Sequence, residues 1–188
     1  MFLMILGLVL FLGTHVFTTI RDRRARLVAR LGEGRYKGLY SLVSALGLVL
    51  VVWGYSSAPF VPVWNPPVFT RHLALLLMPF ATIFLVAAYA PTGRIKRALR
   101  HPFLAAVKVW ALAHLLANGD LASMVLFASL LAYAVYDRIS LKRRPRGAPV
   151  VAGPVSSRGD MVAILGGLAL FALIVFWLHP LLGPPVLP

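Results

Sequence analysis

The 188-residue chain contains no cysteine. That absence excludes disulfides, thiolate metal ligands, a nucleophilic thiol and covalent c-type haem attachment, which needs C-x-x-C-H. Acidic residues are almost as scarce, with only Asp22, Glu33, Asp120, Asp137 and Asp160 present. All five fall near predicted helix ends or in loops, which argues against general acid–base hydrolysis and carboxylate-built divalent-cation sites. No Gly-rich phosphate loop or Ser–His–Asp pattern appears. Lys and Arg, by contrast, number 19 and leave a net charge of +14.

That charge is concentrated. The stretches Arg21–Lys37, Arg94–Arg100 and Arg138–Arg158 hold seven, four and six of the basic residues. The segments between them are almost uniformly apolar, and mean hydropathy is +0.86. Cytoplasmic loops of membrane proteins keep an excess of Lys and Arg, whereas short translocated loops are depleted in them. The positive charge is therefore read as loops lying against an anionic inner leaflet, with no nucleic-acid partner implied.

A spanning helix needs about 20 apolar residues, with a range of roughly 17–25. Six segments qualify: Phe2–Ile20, Leu39–Ala58, His72–Ala90, Pro102–Asn118, Leu121–Tyr136 and Met161–Leu182. The expected fold is an all-α polytopic bundle of six transmembrane helices, forming one domain over residues 1–188. The second loop has only Arg71 and the fourth has no basic residue, so both termini are expected to be periplasmic. The first segment lacks a basic n-region and a small-residue cleavage site, and reads as a retained span.

Local chemistry supports these boundaries. Gly119 suits a left-handed position after the fourth span, and Asp120 suits the cap of the fifth. Trp64, in a loop with four prolines, reads as an interfacial anchor. Tyr133 and Tyr136 read as belt aromatics, and Asp137-Arg138 as a local ion pair ending the fifth span. The first basic loop is compatible with a short surface helix or with a solvated loop. The last, KRRPRGAPVVAGPVSSRGD, has the composition of a mobile linker.

Ionisable residues inside spans are costly and tend to mark function. His15 lies near the end of the first span, where Thr14/Thr18 and His15/Thr19 form a polar stripe of i, i+4 pairs. The fourth span reads RHPFLAAVKVWALAHLLANGD. Pro102 suits a first helical turn, so Arg100 and His101 stand beside a helix N-terminus that attracts anions. Lys108 lies about two turns further on, roughly on the face of His101. His114 shares a face with Trp110 and Asn118, about 20 Å from His101, too far for one metal ion or one haem iron. His72 and His179 read as interfacial residues.

Two neutral imidazoles on different helices, in a chain without Cys, suit axial ligation of a b-type haem by His15 and His114. His15 lies about 6 Å to one side of its helix midpoint and His114 about 6 Å to the other of its own. A haem between them would be tilted or the helices staggered. Arg100, Lys108 and the helix start at Pro102 are the cations and dipole available to propionates. A Zn²⁺ site is less suited, because it needs three or four close ligands.

The pairing of R-H-P with a downstream W-x-x-A-H-L-x-x-N-G-D, together with the histidine in GTHVF, resembles the NnrU family of bacterial membrane proteins. The resemblance covers essentially the whole chain. It implies a multi-pass protein of the bacterial inner membrane with a link to denitrification, the handling of nitrite and nitric oxide. It also implies kinship with the haem b enzyme 15-cis-zeta-carotene isomerase. Carried over by motif, His15 and His114 match that enzyme's haem-ligating histidines, and His101 matches its R-H-P histidine. A haem-dependent redox or isomerase-like activity on a small apolar or gaseous ligand is the expectation. One departure is Ala111, three residues before His114, where the isomerase places a Cys implicated in a redox-dependent ligand change.

R-H-P at a helix start also resembles S-adenosylmethionine-dependent membrane methyltransferases. Those enzymes carry a Glu-rich segment after the next helix, whereas YDRISLKRRPRG here has no Glu. A non-catalytic membrane accessory or transport protein is the third alternative.

Overall fold

A computed structural model describes residues 1–143 and 154–182. These form helices, with one isolated bridge between Pro62 and Asp120. In chain order they are α1 (Phe2–Thr19), α2 (Arg21–Leu31), α3 (Glu33–Ser56), α4 (Val68–Tyr89), α5 (Arg94–Leu99), α6 (Pro102–Ala117), α7 (Leu121–Arg143), α8 (Ser157–Leu173) and α9 (His179–Leu182). A π-helical turn, Ile174–Leu178, joins α8 to α9.

Helices α1, α3, α4, α7 and the run Ser157–Leu181 are long and apolar enough to cross a membrane. The chain is thus a multi-pass helical membrane protein. The sixth expected span is α6, with 16 residues, just below the usual spanning length. Four spans outrun their expected limits, α4 from Val68 and α8 from Ser157 by one turn and two others by more. Helix α3 begins at Glu33, and α7 continues past Tyr136 to Arg143, because Lys, Arg and Glu are good helix formers in water as well as in lipid. The first basic loop is helical as α2. The linker expected to be mobile lies largely outside the described residues.

The residues cluster into two compact units. In the unit of residues 1–65 and 118–143, α1 packs along α3. Small residues permit this: a Cβ on Gly7 would stand 2.5 Å from the Val51 amide nitrogen, and one on Gly47 2.7 Å from that of Phe11. Gly54 meets the backbone of Met4 as closely, and Met4 is fully buried. Lipid tails are as apolar as Leu, so close backbone approach is what distinguishes helix contact from lipid contact. Polar pairs add register: Thr14 Oγ1 and Ser44 Oγ lie 3.1 Å apart, and the Tyr55 and Ser123 hydroxyls 2.8 Å.

The Pro-rich loop closes the same unit. Val63 and Trp64 donate backbone N–H groups to the Gly119 carbonyl at 2.8 and 3.1 Å, and Leu121 donates to Val61 at 2.9 Å. Gly119 does not take the expected left-handed conformation, since Gly32 is the one described glycine with positive φ. Asp120 caps α7 as expected, accepting the Ser123 N–H at 2.9 Å. Trp64 Nε1 donates to the Asn118 carbonyl at 3.2 Å, which ties this anchor to the turn.

In the unit of residues 66–117 and 144–188, α4 packs on α6 and α8. Gly167 lets α8 approach α4, since a Cβ there would lie 2.5 Å from Ile83 Cα. The Asp160 carboxylate accepts N–H bonds from Arg94 and Ile95, both at 2.9 Å, and so caps α5. Lys96 Nζ donates to the carbonyls of Ala88 and Ala90 at 2.9 and 2.8 Å. This basic residue satisfies the free carbonyls at the end of α4.

Candidate functional site

His15 sits on the last turns of α1, half-buried. Its Nδ1 lies 2.7 Å from the carbonyl oxygen of Phe11, one turn back. A carbonyl only accepts, so Nδ1 carries a proton, and in the neutral ring Nε2 keeps the lone pair. The rings of Phe11, Tyr40 and Tyr133 surround the imidazole at centroid distances of 4.3, 5.5 and 5.7 Å. Tyr133 is thus a neighbour of His15 rather than a belt residue. Tyr136 stands 2.9 Å from Thr19 Oγ1 and joins the polar stripe. Asp137 and Arg138 form no ion pair among the described residues. They are adjacent within α7, and side chains at i, i+1 do not face one another.

His114 on α6 repeats the arrangement. Its Nδ1 lies 2.8 Å from the Trp110 carbonyl, and the Trp110 ring stands 5.1 Å away. The two histidines thus share one local design: an aromatic residue four positions earlier, whose carbonyl sets the tautomer and whose ring steadies the imidazole. A second nitrogen bound to a carbonyl is the usual support for a metal-ligating histidine. Sequence reasoning noted the shared face of Trp110 and His114. It missed Phe11, Tyr40 and Tyr133, although the i−4 spacing of Phe11 was readable. It also missed that His179 lies within electrostatic range of His114.

The R-H-P segment forms a strained elbow between α5 and α6. Arg100 has φ 62°, ψ −39°, the only positive φ at a described non-glycine residue. The His101 N–H donates to the Leu99 carbonyl at 2.7 Å, which closes a three-residue γ-turn of the rare, strained hand. Arg100 is exposed, His101 half-buried and Pro102 buried at the helix start. Lys108 is half-buried further along α6, on a helix with no acidic residue. Ala111, the departure from the isomerase pattern, is fully buried. Among the described residues, no three His, Asp or Glu side chains gather closely enough to hold a metal ion.

Several apolar helices and two carbonyl-bonded histidines on separate helices mark the chain as a multi-pass helical membrane protein. Residues 3–186 match the NnrU protein family, and the chain belongs to it. No curated protein and no solved structure matches the chain.

Proposed function

We propose that this chain is a haem b-binding protein of the bacterial inner membrane, with His15 and His114 as axial ligands and a role linked to denitrification. The observation that carries the reading is the repeated support of each imidazole, Nδ1 to the carbonyl of an aromatic residue at i−4. In the neutral tautomer that this bond favours, Nε2 carries the lone pair that an iron ligand needs. Bound haem b would supply a redox-active iron, which a small apolar or gaseous ligand would reach only by displacing one of the two histidines. Of the chain's own residues, Lys108 would neutralise a propionate, while Phe11, Tyr40, Tyr133 and Trp110 would fix the imidazole planes and keep water away. With Ala111 buried and no thiol anywhere, a thiol-linked ligand change has no residue to use, which favours redox or ligand-sensing chemistry over an isomerase-like reaction.

The orientation follows from the charged loops: α6 completes six spans, the basic loops face the cytoplasm and both termini the periplasm. A helix of 16 residues, about 24 Å long, spans when the bilayer thins locally or flanking residues snorkel. The family match over residues 3–186 supports treating the chain as one domain.

The test is chemical identification of what co-purifies with detergent-solubilised protein from haem-replete cells. Non-covalent haem b with a low-spin six-coordinate spectrum is expected. A colourless protein overturns the reading. S-adenosylmethionine binding by calorimetry, lost with Arg100 and His101, would move the chain to the methyltransferase class.

A further inference from the structure

Helix α2 is amphipathic. Arg21, Arg23, Arg24, Arg26 and Arg30 are exposed, while Leu27, Val28 and Leu31 are half-buried. Such a helix lies in a membrane interface, its apolar side down and its arginines toward headgroups. Leu27 forms one wall of a cavity of about 290 Å³. Gly13, Thr14 and Phe17 of α1 and Tyr36, Leu39, Tyr40 and Val43 of α3 line the rest. The volume is at the small end of ligand pockets, roughly 300–1,000 Å³, and suits a slender apolar chain.

One polar group in this wall stands out. Tyr36 is 6% exposed, and its hydroxyl has no hydrogen-bond partner among the described residues. Thr14, also in the wall, is satisfied by the Leu10 and Phe11 carbonyls. The Tyr36 hydroxyl is itself closed off, so the ring and not the hydroxyl faces the cavity. The Arg24 guanidinium lies over the Tyr36 ring, 5.4 Å from its centroid. The stretch Arg21–Lys37 carries seven basic residues against Asp22 and Glu33, and Glu33 is already paired with Lys37 at 2.8 Å.

We propose that this cavity seats one acyl chain of an acidic phospholipid. Its headgroup is held by the α2 arginines, and its chain lies against the Tyr36 ring and the apolar walls. Charge complementarity selects the acidic lipid, and the apolar walls select the chain over a free anion. The site lies within a single unit and needs no haem ligand, although Tyr40 lines it and also stands beside His15. Only its assignment to the inner leaflet rests on the orientation proposed above.

The experiment measures lipid retention by the full chain in detergent, using native mass spectrometry. Phosphatidylglycerol, phosphatidylcholine with the same acyl chains, and inorganic phosphate are the three probes. Phosphatidylglycerol is expected to be retained roughly tenfold better than phosphatidylcholine, and not to be displaced by phosphate. A Cβ on Gly13 would meet nothing within 4 Å, so Gly13→Leu fills the cavity without straining the helix. It should lower retention severalfold. Equal retention of the two lipids, displacement by phosphate, or full retention by Gly13→Leu would overturn the proposal. Detergent has no leaflets, so this outcome is independent of the orientation.

Discussion

His15 and Phe11 form a closed local pair on α1, with Nδ1 2.7 Å from the Phe11 carbonyl and the two rings 4.3 Å apart. Trp110 and His114 repeat it on α6. If both imidazoles ligate iron, His15→Ala and His114→Ala each remove one axial ligand. The low-spin spectrum should then become high-spin or the pigment be lost. His72→Ala, at an exposed position, should leave it unchanged. An unaltered spectrum in either of the first two variants assigns the ligand elsewhere.

Lys108 provides a separate test. An ammonium deep in a span costs roughly 2.5–3.5 kcal/mol on insertion scales, and α6 holds no carboxylate to offset it. Lys108→Met should therefore raise thermal stability in detergent while lowering haem retention. Full haem occupancy in this variant would show that the lysine snorkels to the interface instead of pairing with a propionate.

Arg100 stores backbone strain at φ 62°. Residues held in such regions cost about 1–3 kcal/mol each, and glycine avoids that cost. Arg100→Gly should raise the unfolding midpoint by a few degrees, whereas Arg100→Ala should not. If the strain serves to present the guanidinium, the glycine variant should also lose anion or cofactor binding. A midpoint lowered by Arg100→Gly would mean that the side chain contributes more than the turn costs.

The α1–α3 contact makes a clean comparison among glycines. Gly47→Leu forces a side chain into the Phe11 backbone and should cost about 1–3 kcal/mol or more. Gly38→Ala, where a Cβ meets nothing within 4 Å, should stabilise the helix by about 0.5–1 kcal/mol. Thermal unfolding in detergent reads both. Equal effects would show that α1 and α3 do not touch as described.

Topology is tested by reporters active only outside the cytoplasm. Fusions in the Pro-rich loop after α3 should be active, and fusions at Thr92 silent. Activity at Thr92 reverses the orientation.

Much of the architecture was readable because the bilayer imposes it. The start of α1, the beginning of α6 at Pro102 and the Asp120 cap of α7 all follow from local chemistry. The pairing at Gly119 did not, because its partners are Val63 and Trp64, more than fifty residues earlier in the chain. The aromatic ring around His15 was hidden for the same reason: Tyr40 and Tyr133 come from two other helices. The γ-turn at Arg100 left no sequence mark, since glycine is the usual residue for positive φ.

The sequence by itself determined a multi-pass membrane helix protein, its spans, the bias of its charged loops and its few candidate ligands. Bilayer thickness and the cost of buried charge act on composition along the chain, so composition records them. The tertiary structure alone decided which face of each helix meets a neighbour. In lipid the partner and the solvent are equally apolar, so helix contact depends on shape. Gly7, Gly47 and Gly167 mark it by backbone approach that no hydrophobic pattern reveals.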